Sequence, residues 1–183
     1  GEVLAAANSP STGFDRALTG RYPPGSTFKV ATAYAYLTGG ITTPTSPVPC
    51  PETFTVDGRE YGNFAGESLP GTPTFFKNFT VSCNTAFVSL ADELAADDLP
   101  NAARTLGIGA GWADTLGVAD AFEGSVPPTT GGTDAAAASI GQGRIEVSPL
   151  ALAVMSGSIG RGTFLAPVLV RAAEPSSPRP TPI

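Results

Sequence analysis

In Arg21-Tyr22-Pro23-Pro24-Gly25-Ser26-Thr27-Phe28-Lys29, two prolines and a glycine are followed by a serine and, three residues later, a lysine. Pro23-Pro24-Gly25 interrupts any preceding element, so a helix is predicted to begin at Ser26. Ser26 and Lys29 are then one turn apart on one face, where an amine can take a proton from a hydroxyl. The chain contains no histidine, and its lysines are Lys29 and Lys77. Ser-His-Asp, Cys-His and most zinc chemistry are therefore excluded, and an activated serine must be served by a lysine or a carboxylate.

Beyond Ser26 the apolar residues Phe28, Val30, Ala31, Ala33, Ala35 and Leu37 cover most of the helix surface, which predicts a buried central helix ended by Gly39-Gly40. A lysine in such a helix is costly without a role or a partner. Two readings of Ser26 stand side by side. Serine is a favoured helix N-cap. A serine at that place also has the N–H groups and dipole of the first turn aimed at it. A desolvated lysine beside it has a lowered pKa and can act as a neutral base.

Outward from this helix, residues 42–80 are rich in Pro, Thr and Gly and predict short strands, with Asp57-Gly58 as a hairpin turn between 53–56 and 59–61. A helix is predicted over 85–96, with Phe87, Leu90, Ala91 and Leu94 on one face and Ser82 or Asn84 as cap. A shorter one runs over 100–106 and stops at Gly107. Asp134 is read as the cap of an Ala-rich turn over 135–140. Ser148-Pro149 reads as N-cap and first helical residue of a helix to about 159. Residues 3–7 and 168–170 read as strands. Trp112, Asp114, Asp120 and Glu123 are assigned to surface loop, and Glu67 to a loop able to border a cleft. The stretch 175–183 carries four prolines in nine residues and reads as exposed loop or linker. Asn78-Phe79-Thr80 fits the glycosylation pattern and is given no weight.

With 183 residues, 42% of them hydrophobic, the chain suits one domain that buries roughly two-thirds of its unfolded surface. A net charge of -6 argues against a nucleic-acid partner, because no basic patch exists to release counterions. No apolar run approaches the roughly 18 residues of a membrane span, and no signal peptide is present. The opening Gly1-Glu2-Val3-Leu4-Ala5-Ala6-Ala7 reads as a strand with nothing before it, so any export signal or anchor would lie upstream. Cys50 and Cys83 are too few for a disulfide scaffold or a zinc ribbon. No metal and no cofactor is expected.

Four segments in order resemble the penicillin-binding transpeptidases, in which Pro-Gly-Ser-Thr-Phe-Lys is the active-serine motif. The first is Pro24-Gly25-Ser26-Thr27-Phe28-Lys29. Ser82-Cys83-Asn84 resembles the family's Ser-x-Asn motif. Gly141-Gln142-Gly143 with Val147-Ser148-Pro149-Leu150-Ala151-Leu152-Ala153 resembles a third segment, and Gly1-Glu2-Val3-Leu4-Ala5 the strand before the active serine. The family's Lys-Thr-Gly motif is missing, and Lys77-Asn78-Phe79 is no substitute. The chain is therefore expected to be one partial transpeptidase domain over 1–183.

The resemblance implies an α+β, penicillin-recognising fold, mostly its helical part, with the antiparallel sheet largely outside the chain. It implies a bacterial, extracytoplasmic D,D-transpeptidase that cross-links peptidoglycan stem peptides and is acylated by β-lactams. Ser26 would be the nucleophile, Lys29 its base, Ser82 a proton relay and Asn84 a holder of the substrate backbone. The remainder of the domain would be its partner. Alternatives are a β-lactam sensor or inactive penicillin-binding module, a D,D-carboxypeptidase and a serine β-lactamase. Because the family works outside the membrane, a Cys50–Cys83 disulfide is weighed against two buried thiols.

Overall fold

The computed structural model describes residues 1–170 and 181–182. In chain order the elements are α1 (Arg16–Thr19), α2 (Lys29–Thr38), β1 (Thr53–Val56), β2 (Arg59–Gly62), α3 (Phe75–Thr80), α4 (Asn84–Ser89), α5 (Asp98–Thr105), α6 (Gly132–Ser139), α7 (Pro149–Arg161), β3 (Thr163–Phe164) and β4 (Thr181–Pro182). Short 3₁₀ turns cover Gly25–Phe28, Phe64–Gly66, Ala91–Glu93 and Ala113–Thr115. The chain forms two compact units and crosses between them after Pro23, Ala102, Val126 and Arg144.

The unit made of Pro24–Ala102 and Pro127–Arg144 carries the serine–lysine segment. α2 is its spine, with Ala31, Thr32, Ala33, Ala35 and Tyr36 buried. The Tyr36 ring packs against Phe75 and Phe87 at 6.1 and 5.9 Å, and its hydroxyl donates to the Phe87 carbonyl at 2.6 Å. Burial holds that phenol in its neutral form, its pKa pushed far up. β1 and β2 form an antiparallel hairpin, Thr53 opposite Gly62 and Val56 opposite Arg59. Asp57 and Gly58, at φ 48° and 79°, make the turn with both central residues left-handed, as anticipated.

The other unit comprises Gly1–Pro23, Ala103–Val126 and Ile145–Ile183. Its core gathers Leu106, Ile108, Trp112, Phe122, Ile145, Val147, Leu150 and Met155. Ser148 caps α7 by accepting from the Ala151 amide at 3.0 Å, with Pro149 in the first helical position, as the sequence indicated.

Several expectations change. Residues 3–7 and 168–170 are not strands. Glu2 and Val168 form a lone parallel bridge, and Leu4 is 89% exposed. Among the described residues the run pairs only with Val168, and a single bridge does not extend into a strand. Leu37 faces solvent, so α2 is buried on less of its circumference than its composition suggests. The helix anticipated over 85–96 breaks after Ser89. Leu90 bonds back to Phe87 and a 3₁₀ turn follows, where Asp92 and Glu93 oppose the dipole at a helix C-terminus. Gly131, not Asp134, is the N-cap of α6. The Asp134 carboxylate reaches back to the Thr130 amide at 2.9 Å and pairs with Arg144 at 2.7 Å. Trp112 is no surface residue: it is 2% exposed and its indole N–H donates to the Gly107 carbonyl at 2.6 Å. The stretch 175–183 lies outside the described residues, apart from Thr181–Pro182, which pairs with β3.

Candidate active site

The helix begins as a 3₁₀ turn over Gly25–Phe28 and becomes α-helical at Lys29. In a 3₁₀ turn, residues three apart eclipse, so Ser26 and Lys29 stand one above the other. Ser26 is exposed, Phe28 is fully buried, and Lys29 is 2% exposed. The Phe28 ring anchors the turn while the serine hydroxyl faces outward. The Thr27 hydroxyl donates to the Pro24 carbonyl at 2.7 Å and closes the same turn.

Lys29 Nζ lies 3.3 Å from Ser26 Oγ and 3.1 Å from Ser82 Oγ. It donates to the Ser82 carbonyl at 2.7 Å and to Asn84 Oδ1 at 2.5 Å. The Phe87 ring centroid is 5.3 Å away. Among the described residues no carboxylate bonds this amine. Burial therefore dominates its electrostatics and lowers its pKa from 10.5 to about 8. Four oxygens surround a nitrogen that carries three hydrogens when charged and two when neutral. In the neutral state the lone pair is available to the Ser26 hydroxyl, and the remaining N–H groups still have acceptors.

Ser82 sits in left-handed backbone at φ 59°, uncommon for a residue with a Cβ. This kink lets both its carbonyl and its hydroxyl face Lys29. Asn84 opens α4, and its Nδ2 donates to the Gly62 carbonyl at 2.9 Å, which fixes its Oδ1 toward Lys29. Cys83, between them, points the other way and is joined in a disulfide to Cys50, with the Cα atoms 6.2 Å apart. Ser26, Lys29, Ser82 and Asn84 thus converge, and Cys50 and Cys83 back them.

Ser26, Ser82 and Asn84 line a cleft of about 570 Å³, together with Cys50, Asn63, Phe64, Glu67 and Leu69. Glu67 does border this cleft, and Phe64 stands at it 85% exposed. Lys77 is exposed on α3. Asn78 is fully buried with Nδ2 bonded to the Val48 carbonyl, so its sequon has no accessible nitrogen. Glu123 binds the Trp112 and Ala113 amides and is structural.

The Gly141-Gln142-Gly143 turn is also explained. Gly141 has φ 70°, its carbonyl accepts from the Gly25 amide at 2.9 Å, and a Cβ there would come 2.7 Å from Phe28 Cβ and overlap the Gly25 carbonyl. Only glycine lets the two turns touch. Sequence reasoning missed this contact and missed Asn63, whose place after a hairpin reads as ordinary loop.

The fold, helices with small antiparallel sheets, is that of the penicillin-recognising transpeptidase domains. The family model described as "Penicillin binding protein transpeptidase domain" matches residues 1–182, and this chain belongs to that family. The peptidoglycan D,D-transpeptidase PbpA of Mycobacterium tuberculosis is 37% identical over 167 residues, covering 84% of this chain and 31% of that protein. The chain thus spans about a third of the length of the curated relatives it matches. The imipenem acyl-enzyme complex of M. tuberculosis penicillin-binding protein A aligns over 86% of this chain and 37% of that one, at 32% identity and TM-score 0.76. The apo TP domain of Burkholderia pseudomallei penicillin-binding protein 3 aligns over 100% of this chain and 53% of that one, at 25% identity and TM-score 0.81.

Proposed function

We propose that this chain is the serine–lysine part of a D,D-transpeptidase that cross-links peptidoglycan stem peptides and is acylated by β-lactams. The observation that carries this reading is a buried amine, with its pKa lowered to about 8, placed between two serine hydroxyls at 3.3 and 3.1 Å. The acyl-enzyme complex of the M. tuberculosis relative supports the same reading.

Neutral Lys29 takes the Ser26 hydroxyl proton as Oγ bonds to the carbonyl carbon of the penultimate D-Ala. The Ser26 N–H supplies one hydrogen bond to the resulting oxyanion. The C–N bond to terminal D-Ala breaks as its nitrogen receives a proton from Ser82, which Lys29 replenishes. An amine of a neighbouring stem then attacks the ester, and Ser26 recovers its proton as the cross-link forms. Asn84 holds the substrate backbone. A β-lactam amide enters the first step in place of the stem peptide. This chemistry places the protein on the extracytoplasmic side of the cell envelope, where a Cys50–Cys83 bridge persists. A membrane anchor elsewhere in the full-length protein is consistent with that placement. No helix among the described residues is long and apolar enough to cross a membrane.

The test is to incubate the full-length protein with a fluorescent penicillin and to locate the adduct by mass spectrometry. The adduct is expected on Ser26 and absent from Ser26→Ala. Undiminished labelling of Ser26→Ala would sink the proposal. Supplying an amine acceptor with a stem-peptide thioester separates cross-linking from hydrolysis.

A further inference from the structure

α4 starts with an unusual deficit. Its N-cap position is held by Cys83, whose sulfur is committed to the disulfide and accepts from the Ala86 amide only at 3.4 Å. An N-cap side chain serves the second or third amide of a helix, and Cys83 serves the third, which leaves the first two open. Here the first two are served from 21 and 22 residues upstream. Asn63 Oδ1 accepts from the Asn84 amide at 2.7 Å and from the Thr85 amide at 3.1 Å.

The other half of the same amide is anchored equally well. Asn63 Nδ2 donates to the Pro51 and Glu67 carbonyls, both at 2.8 Å, and lies 3.2 Å from Thr85 Oγ1. Two carbonyls on one side and two N–H groups on the other leave the amide a single orientation. Asn63 follows β2 directly, and the last residue of β2, Gly62, accepts from Asn84 Nδ2. The end of the hairpin therefore grips Asn84 twice, by its backbone through Asn63 and by its side chain through Gly62.

We propose that Asn63 is a positioning residue for acylation: it serves the first two amides of α4, which the Cys83 cap leaves open, and so holds Asn84 Oδ1 against the Lys29 amine. This inference rests on Ser26 and Lys29 acting as proposed above. Asn63 touches only the backbone of Asn84, whereas Lys29 meets its side chain. Asn63 therefore reaches the reaction through the Asn84 side chain.

A double-mutant cycle tests this on the full-length protein, reading the second-order rate of Ser26 labelling by a fluorescent penicillin on folded material. Asn63→Ala is expected to slow labelling by about 10- to 100-fold, the scale of a small misplacement at a reacting centre. In an Asn84→Ala background the same change should slow it by less than about 3-fold, because the lever is already gone. Asn63→Gln keeps the amide but displaces it by one methylene, and serves the same cycle if the alanine variant does not fold. Equal losses in both backgrounds, or no loss in the first, would overturn the proposal. Absence of any Ser26 adduct in the unaltered protein is a different outcome: it removes the acylation reading itself, and this inference with it.

Discussion

Residues 24–29 and residues 81–84 bring their functional groups to the same amine by different means. The first segment is held locally: Thr27 bonds Pro24, the Lys29 amide bonds Ser26, and Phe28 is buried beneath them. The second takes local bonds only at its entry, from the Val81 and Ser82 amides to the Lys77 and Phe79 carbonyls. Ser82 sits in left-handed backbone, Cys83 caps only the third amide of α4, and the rest of the loop is fixed by Cys50, Gly62, Asn63 and the Asn78 carbonyl. A spacing written in adjacent residues sets the Ser26 hydroxyl beside the Lys29 amine. Contacts spanning 5 to 33 positions set the groups that direct them.

The sharpest way to break the local half is Lys29→Arg, which keeps the charge and cannot deprotonate. Labelling of Ser26 is expected to fall by about 10²–10⁴-fold, with the thermal midpoint little moved. In the unaltered protein the rate should rise with pH and level off above about 8, since deprotonation creates the base. A rate that is flat from pH 6 to 9 would contradict this role. Gly141→Ala attacks the same turn from outside. Its Cβ meets Phe28 and the Gly25 carbonyl at positive φ, so labelling should slow by about ten-fold and stability should drop by about 1–3 kcal/mol. An unchanged melt would show that the Gly25 turn yields freely.

The long-range half responds more gently. Replacing Cys50 and Cys83 by serine removes a link across 33 positions and should cost about 3–4 kcal/mol in chemical denaturation. Labelling of the folded fraction should slow only by a few-fold, because Gly62 and Asn63 still hold Asn84. A loss as large as that of Lys29→Arg would make the disulfide the dominant support. The smallest effect concerns Asp134, whose carboxyl the Arg144 hydrogen bond holds at about 2, below the ordinary 3.8. A depressed carboxyl pKa contributes stability above the ordinary value that is lost as pH falls through the folded one. Asp134→Asn should therefore flatten the acid limb of a stability profile between pH 4 and 2 and leave labelling at neutral pH alone. An unaltered acid limb would show that the pair contributes nothing, as many surface pairs do.

The same contrast explains what could be read from the sequence. Ser26 and Lys29 were legible because one turn of helix fixes their separation. The hairpin turn was legible because Asp57-Gly58 supplies its left-handed backbone. The helix over 149–161 was legible because Ser148-Pro149 marks its start. Ser82 and Asn84 were singled out by motif, but their cap was misplaced, since nothing local shows that Asn63 serves α4. Residues 3–7 misled because apolar composition does not name a partner strand, and Trp112 because loop residues can still wrap a core.

The eclipsed pairing of Ser26 and Lys29 has a kinetic side. Rocking the 3₁₀ turn carries hydroxyl and amine together, so their separation survives motion of the helix. Movement of residues 81–84 does something else. It would take three oxygens from the amine and admit water, moving its pKa from about 8 back toward 10.5. The pair would stay aligned while the neutral fraction of the amine at a given pH fell by about 10²-fold. Proton affinity, rather than alignment, is then what the loop sets.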